Sequence, residues 1–262
     1  MKKVGEGQLD ISVPEFNNKD LQILSSSFNT MISKVNVLMK IIVEKESERI
    51  NAQFKAFQAQ INPHFLFNTL QVVRTIAMDN NVKSIADIAK SLAKMFRYSI
   101  NRDNEIVTIG EEIEHVRNYI SIQKYRYGEK FDVEYDLDDD VCKYKIIKFI
   151  IQPLIENAIY HGIETKRGRG HLRITARKHE NTVIVKVIDD GIGIPEDKVN
   201  NINRAFQGFE YKEEKQEHGS IGIGITNVDS RIKLYYGKNY GLKIESSENS
   251  GTMVQITIPV AC

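Results

Sequence analysis

The spacing at which apolar residues recur changes once along this chain, near residue 104, and that change divides what each half can become. Before it, Leu21, Leu24, Phe28, Met31, Ile32, Val35, Leu38, Met39 and Ile42 recur at three- and four-residue steps, the spacing of one helix face. The charged run EKESER at 44–49 contains neither Gly nor Pro, and the pattern resumes at Ile50, Phe54, Phe57 and Ile61. That 4-3-4 spacing is a coiled-coil seam. It predicts a long continuous helix reaching past residue 70, and an uncapped seam of that length asks for a partner chain. A break at DNN, 79–81, precedes a second amphipathic helix from Ile85 to about Ile100, with Ile88, Leu92, Met95 and Phe96 on one side. The front of the chain therefore reads as a helical hairpin.

Beyond residue 104 the period becomes mixed. FDVEYDL (131–137) alternates apolar and polar residues as a strand does, and so do HLRITARKH (171–179), TVIVKVID (182–189), GLKIESS (241–247) and TMVQITIPV (252–260). Thr108 or the residues just after it open a helix with acids in its first turn, and KYKIIKFIIQPLIENAIYHG (143–162) reads as helical. Strands and helices in this order predict an α+β fold: long helices first, then a sheet with helices on one face. A formal net charge of +1 gives no general attraction to nucleic acid. No apolar run approaches the roughly 18 to 20 residues that cross a bilayer, and MKKVGEGQLDISV lacks the apolar core of a signal peptide. Cys142 and Cys262 have no metal-ligand spacing, which suits a reducing, cytosolic setting.

Three pieces of the back half carry chemistry. In PLIENAIYHG (153–162), Asn157 stands mid-helix among Leu154, Ile155, Ala158 and Ile159. An amide there either faces solvent or aims its oxygen at a hard cation. In VIDDGIGIP (187–195) a strand ends in two carboxylates and then Gly-Ile-Gly, where glycine lets the backbone approach a ligand closely. In HGSIGIGITNVDSRI (218–232), Gly219, Gly222 and Gly224 come just before a helical stretch, an arrangement that offers free N–H groups to an anion. No GxxxxGK[ST] phosphate loop exists in the chain.

Asn157 in ENAIYHG, Asp189–Gly193 in DDGIG and then GIGITN resemble, in order, the three nucleotide boxes of the superfamily that unites gyrase, heat-shock chaperones, mismatch-repair proteins and histidine kinases. The resemblance covers roughly 106–262 and implies a two-layer α/β sandwich that binds ATP with Mg²⁺ under a mobile flap at about 204–220. It makes Asn157 the Mg²⁺ ligand and Asp189 the acceptor for the adenine amine. Gly191 and Gly193 shape the base pocket, Gly222 and Gly224 meet phosphates, and Thr252 lies near adenine. Two positions depart from the pattern. Hydrolytic members carry a glutamate four residues before the metal-binding Asn; here Pro153 stands there, which speaks against hydrolysis. Many histidine kinases carry a lysine three residues after it; here Tyr160 stands there, so Lys166, Arg167 or Arg169 would supply positive charge, unless KRGRG is only a solvated loop.

QINPHFLFNTLQ (60–71) resembles the phosphoacceptor motif of sensor histidine kinases of the LytS/YesM type. The resemblance implies that His64, as a neutral imidazole, attacks the γ-phosphate of ATP and passes the phosphoryl group to an aspartate on a response regulator receiver domain. Commoner histidine kinases place an acid after the histidine; here it is Phe65, which leaves the general base unassigned. Asn68, one turn on and on the same face, is the candidate to orient the ring or a water. Pro63 would loosen the helix beside His64 so that the hairpin can bend toward the nucleotide.

GEGQLDISV and DLQILSSSFNTMISKV resemble the second half of a HAMP relay module, with its acidic pair reduced to Asp20 after Lys19. This implies the cytoplasmic portion of a longer protein, anchored through an upstream membrane span. The organisation expected is then partial HAMP over 1–43, a dimerising phosphotransfer hairpin over 44–104 that forms a four-helix bundle with a second copy, and a catalytic ATP-binding domain over 105–262. The rival reading is an ATPase or serine kinase of the same superfamily whose front helices serve only as a partner-binding arm.

Overall fold

The computed structural model describes residues 27–35, 63–100, 105–208 and 221–261, together with residues 22, 37, 38, 41 and 45. The chain divides into two compact units, 1–62 and 63–262. In the first, residues 27–35 are helical; the connector GEGQLDISV and the seam from Ile50 to Ile61 lie outside the described residues.

The second unit begins with two antiparallel helices, α1 (Pro63–Asp79) and α2 (Lys83–Ile100). The reversal between them places Asn81 at a φ of 57°, a left-handed conformation that asparagine tolerates. Pro63 is the first described residue of α1, so the bend expected beside His64 lies outside the described residues.

Strand β1 (Ile106–Thr108) leads directly into α3 (Ile109–Tyr127). Thr108 caps that helix reciprocally: its hydroxyl accepts from Glu111 N at 3.2 Å, while its own N–H donates to the Glu111 carboxylate at 2.8 Å. Ile109, Ile113, Val116 and Ile120 bury one face of α3, and Gly128 at a φ of 61° ends it. Strands β2 (Phe131–Leu137), β4 (Gly170–His179), β5 (Thr182–Asp189), β6 (Gly241–Ser247) and β7 (Gly251–Pro259) form a sheet in the order β2-β4-β5-β7-β6. β2 and β4 run parallel; the other neighbours are antiparallel. Leu172, Ile174 and Ala176 of β4 and Val183, Val185 and Val187 of β5 all point to one face. There they share a single apolar core with α3, α4 (Gln152–Asn157), α5 (Glu196–Phe206) and α6 (Ile221–Tyr236). The fold is α+β, helices followed by a helix-covered five-stranded sheet, as the change of period predicts.

Three local expectations are corrected. The first part of KYKIIKFIIQPL is strand β3 (Lys145–Ile147), paired antiparallel with β1, and the helix starts only at Gln152. Phe149 at a φ of 59° turns the chain between them. Glu112, fully buried on α3, fixes that turn by accepting from the N–H groups of Phe149 at 2.7 Å and of Ile150 and Ile151 at 3.2 Å. Arg231 of α6 also donates to the carbonyls of Lys148 at 2.9 Å and Phe149 at 3.3 Å. The expected flap loses its first residues to α5, which runs to Phe206; residues 209–220 lie outside the described ones. Gly222 and Gly224 lie inside the first turn of α6 rather than ahead of it. The first four N–H groups of a helix have no intrahelical partner, so these glycines still sit where free donors are.

Candidate nucleotide site and phosphoacceptor helix

Asn157 is the last residue of α4, and its orientation is set locally. Its Nδ2 donates to Pro153 O at 2.8 Å, which leaves Oδ1, a hard oxygen donor, for a ligand. Past it the helix widens over Ala158–Ile163, where Glu164 N reaches back five residues to Ile159 O at 2.8 Å. Such widened turns recur at functional sites. This one carries Gly162 against the end of β5, close enough for Ile192 N to donate to Gly162 O at 3.2 Å.

The two carboxylates that end β5 part ways. Asp190 faces outward, where it accepts from His171 N at 2.7 Å and pairs with Lys166 at 2.8 Å. Asp189 faces inward and is 5% exposed. Burial pushes its carboxyl up to about 6, against the Gly191 amide that donates to Oδ1 at 2.9 Å and favours the charged form. A side chain at Gly191 would stand 2.3 Å from the Gly162 Cα. Gly193 has a φ of 71°, and a Cβ there would fall 1.9 Å from Ser247 O. These contacts explain why the sequence spends glycines here: the loop is pressed between the widened turn after α4 and the β6–β7 turn. Ser246 Oγ ties the opposite wall, accepting from Ile194 N at 2.9 Å, donating to Gly251 O at 2.7 Å and lying 2.9 Å from Thr252 Oγ1.

Asn157, Asp189, Gly193 and Thr252 line one cavity of about 170 Å³, with Val187, Ile194, Ile225 and Val254 as its apolar lining. Gly224 flanks it: a Cβ there would lie 3.9 Å from the Asn157 amide nitrogen. A polar rim on an apolar slot fits a purine edge and face. Among the described residues no cluster of three His, Cys, Asp or Glu side chains could hold a metal. A cation at Asn157 Oδ1 would complete its shell with phosphate oxygens and water, the habit of Mg²⁺.

Sequence reasoning missed His161, which lines the same cavity four residues after Asn157 and whose pKa is lowered by burial. The i, i+4 spacing was the available signal. Lys166 and Arg169 of the basic loop are engaged elsewhere, Lys166 with Asp190 and Arg169 with Asp132 at 2.7 Å. Tyr160 instead receives a hydrogen bond from Arg126 of α3 at 3.1 Å.

His64 is exposed on α1, and Asn68 Nδ2 lies 3.2 Å from its Nδ1. The amide one turn away therefore reaches the ring nitrogen nearer the backbone and leaves the outer Nε2 pointing away from it.

Residues 52–131 match the histidine kinase family, and residues 143–261 match the family of histidine kinase-, DNA gyrase B- and HSP90-like ATPases. The sensor histidine kinase YesM of Bacillus subtilis is 37% identical over 97% of this chain and 41% of its own length. The sensor histidine kinase YpdA of Escherichia coli is 35% identical over 79% of the chain and 34% of its own. The sensor protein kinase HptS of Staphylococcus aureus is 26% identical over 95% and 46%. The chain thus spans less than half the length of these relatives. With a phosphoacceptor-type hairpin followed by this ATP-binding domain, the chain belongs to the sensor histidine kinases of the LytS/YesM type.

Proposed function

We propose that this chain is the cytoplasmic signalling portion of a membrane-anchored sensor kinase that transfers the γ-phosphoryl group of ATP to His64. The observation that carries the reading is the convergence of Asn157, Asp189, Gly193 and Thr252 on one apolar-walled cavity, in a chain that also presents an exposed histidine with an amide at its Nδ1. Asp189 accepts from the adenine amine, Gly191 and Gly193 let the loop close on the ring, and Thr252 borders it. The N–H groups of Gly222 and Gly224 face phosphate oxygens. Asn157 Oδ1 would hold Mg²⁺, which when bound neutralises phosphate charge.

Asn68, with its amide turned to present oxygen, accepts from Nδ1–H of His64, which fixes the tautomer whose lone pair is on Nε2. The Nε2–P bond forms as the P–O bond to ADP breaks, and the phosphoramidate then passes to an aspartate of a response regulator. Pro153 supplies no base for water, which favours transfer over the rival ATPase reading. Dimerisation through the hairpin is supported by Phe65, Val72, Val73 and Ile76, apolar residues of α1 left exposed in the single chain. Among the described residues no helix is long and apolar enough to cross a membrane.

Incubation with γ-labelled ATP and Mg²⁺ tests the reading. Acid-labile label that disappears in His64→Gln is expected. Acid-stable label, or label that persists in the variant, refutes it, and phosphate release without protein labelling favours the ATPase. Asn157→Asp should abolish labelling.

A further inference from the structure

The cavity assigned to the nucleotide is short of positive charge. Among the residues that line it Asp189 is the one carboxylate, and none is Lys or Arg. Phosphoryl transfer spreads negative charge over the outer oxygens of the moving group, and a protein cation commonly joins the metal ion there. The basic loop does not offer Lys166 or Arg169, which pair with Asp190 and Asp132. Lys130 is likewise engaged, donating to Lys166 O at 2.7 Å.

Arg126, in the last turn of α3, is held differently. Its Nη1 donates to Tyr160 Oη at 3.1 Å, and its guanidinium carbon lies 4.9 Å from the ring centre of Tyr127 and 5.6 Å from that of Tyr160. A hydroxyl and two aromatic rings orient the planar group without neutralising it, and among the described residues no carboxylate pairs with it. The acids of the facing stretch are bonded elsewhere, Glu156 to Gln152 at 2.8 Å and Glu164 to Tyr127 at 2.9 Å. Arg126 is exposed, and its fork of donors can take two phosphate oxygens side by side.

The widened turn after α4 decides where this charge stands. It carries His161, not Tyr160, onto the cavity wall with Asn157, and Tyr160 is turned toward α3. Tyr160 follows Asn157 by three residues, so its bond to Arg126 sets a guanidinium beside the same turn that presents the amide oxygen suited to Mg²⁺. Tyr127 and Lys130 tie this end of α3 to Glu164 and Lys166, just past the turn. The placement of α3 therefore does not depend on Arg126 itself.

We propose that Arg126 is a catalytic residue that binds the γ-phosphate of ATP, with Tyr160 as the positioning residue that aims it. The guanidinium donates to the outer phosphoryl oxygens while the P–O bond to ADP breaks and the N–P bond to His64 forms, and it keeps its own protons throughout. The proposal rests on the nucleotide reading above. Its test is calorimetry with Mg²⁺ and either ADP or the non-hydrolysable β,γ-imido analogue of ATP, beside initial rates of labelling. Arg126→Ala should weaken the analogue about tenfold and leave ADP within twofold, because only the analogue carries the third phosphate. The maximal labelling rate should fall about hundredfold or more. Arg126→Lys should recover part of the analogue's affinity, and Tyr160→Phe should lose several-fold for the analogue alone. Equal losses for ADP and analogue in Arg126→Ala, or no loss for either, overturn the assignment. So does a selective loss of the analogue in Arg167→Ala with none in Arg126→Ala, which would give the charge to the basic loop. Should Arg126→Ala misfold, Arg126→Lys and Tyr160→Phe decide by the same comparison. An unaltered chain that binds neither nucleotide would instead overturn the nucleotide reading.

Discussion

Asp189 should make the stability of the domain and its affinity for nucleotide respond to pH in opposite directions. Burial raises its carboxyl from 3.8 to about 6. The folded domain therefore holds the proton more tightly than the unfolded chain does. The stability conferred by protonated Asp189 is fully present below pH 3.8 and is lost as pH rises through about 6. The gap between those values corresponds to about 3 kcal/mol, or roughly 6–12 °C in Tm for a domain of this size. On the proposed function nucleotide binding runs the other way, because an ionised carboxylate accepts from the adenine amine more strongly than a protonated one. A carboxyl titrating near 6 is about one-tenth ionised at pH 5 and about nine-tenths at pH 7, so ADP should bind roughly tenfold more tightly at pH 7. Asp189→Asn isolates both effects, since it keeps an oxygen for the Gly191 amide and does not titrate. It also retains His161, whose lowered pKa contributes a stability loss at acid pH common to both proteins. Thermal unfolding of the two proteins between pH 4 and 7, with ADP calorimetry at pH 5 and 7, supplies the comparison. Parallel stability profiles would show that Asp189 does not carry this proton. Equal ADP affinity at pH 5 and 7 would show that its carboxylate is not the acceptor.

Gly193→Ala forces a Cβ to within 1.9 Å of Ser247 O at a φ of 71°. It should weaken ADP binding tenfold or more by calorimetry, with unchanged affinity removing that loop from the adenine wall. Glu112→Ala leaves three backbone N–H groups without their acceptor and should lower unfolding free energy by about 3 kcal/mol or more. A loss below about 1 kcal/mol in urea titrations would mean the turn before α4 has other support. Asn68→Ala should slow autophosphorylation about tenfold with the KM for ATP unchanged, and an unaltered rate would remove Asn68 from the step.

Much of the sheet was legible because β2, β4, β5, β6 and β7 are long enough to show alternation and are separated by turn residues. Glu180 and Asn249 indeed adopt left-handed φ values of 52° and 61° between their strands. Strands β1 and β3 were not legible, because three residues cannot display a period of two. Ile146, Ile147, Ile150, Ile151, Leu154 and Ile155 keep helical spacing through a stretch that becomes helical only at Gln152. What breaks the helix there is tertiary: the Glu112 carboxylate and the Arg231 guanidinium seize the turn, and neither is near it in sequence. Within the site, residues with unusual chemistry for their surroundings, Asn157, Asp189 and the glycines, stood out. His161 did not, because a histidine at a helix end has too many ordinary explanations. Helix α5 was hidden for the opposite reason. Val199, Ile202 and Phe206 give it an apolar face, but its polar residues blend into the polar segment that follows.

The parallel pairing of β2 with β4 has a consequence for how the protein is made. Parallel neighbours need a crossover, and here the crossover contains β3 and α4, the helix that ends in Asn157. The nucleotide wall cannot close until β4 has left the ribosome, and such non-local pairing is slow. Helices α1 and α2 depend on neighbours in sequence and are synthesised before that wall. The hairpin that displays His64 can therefore form before the chain has a domain able to hold ATP.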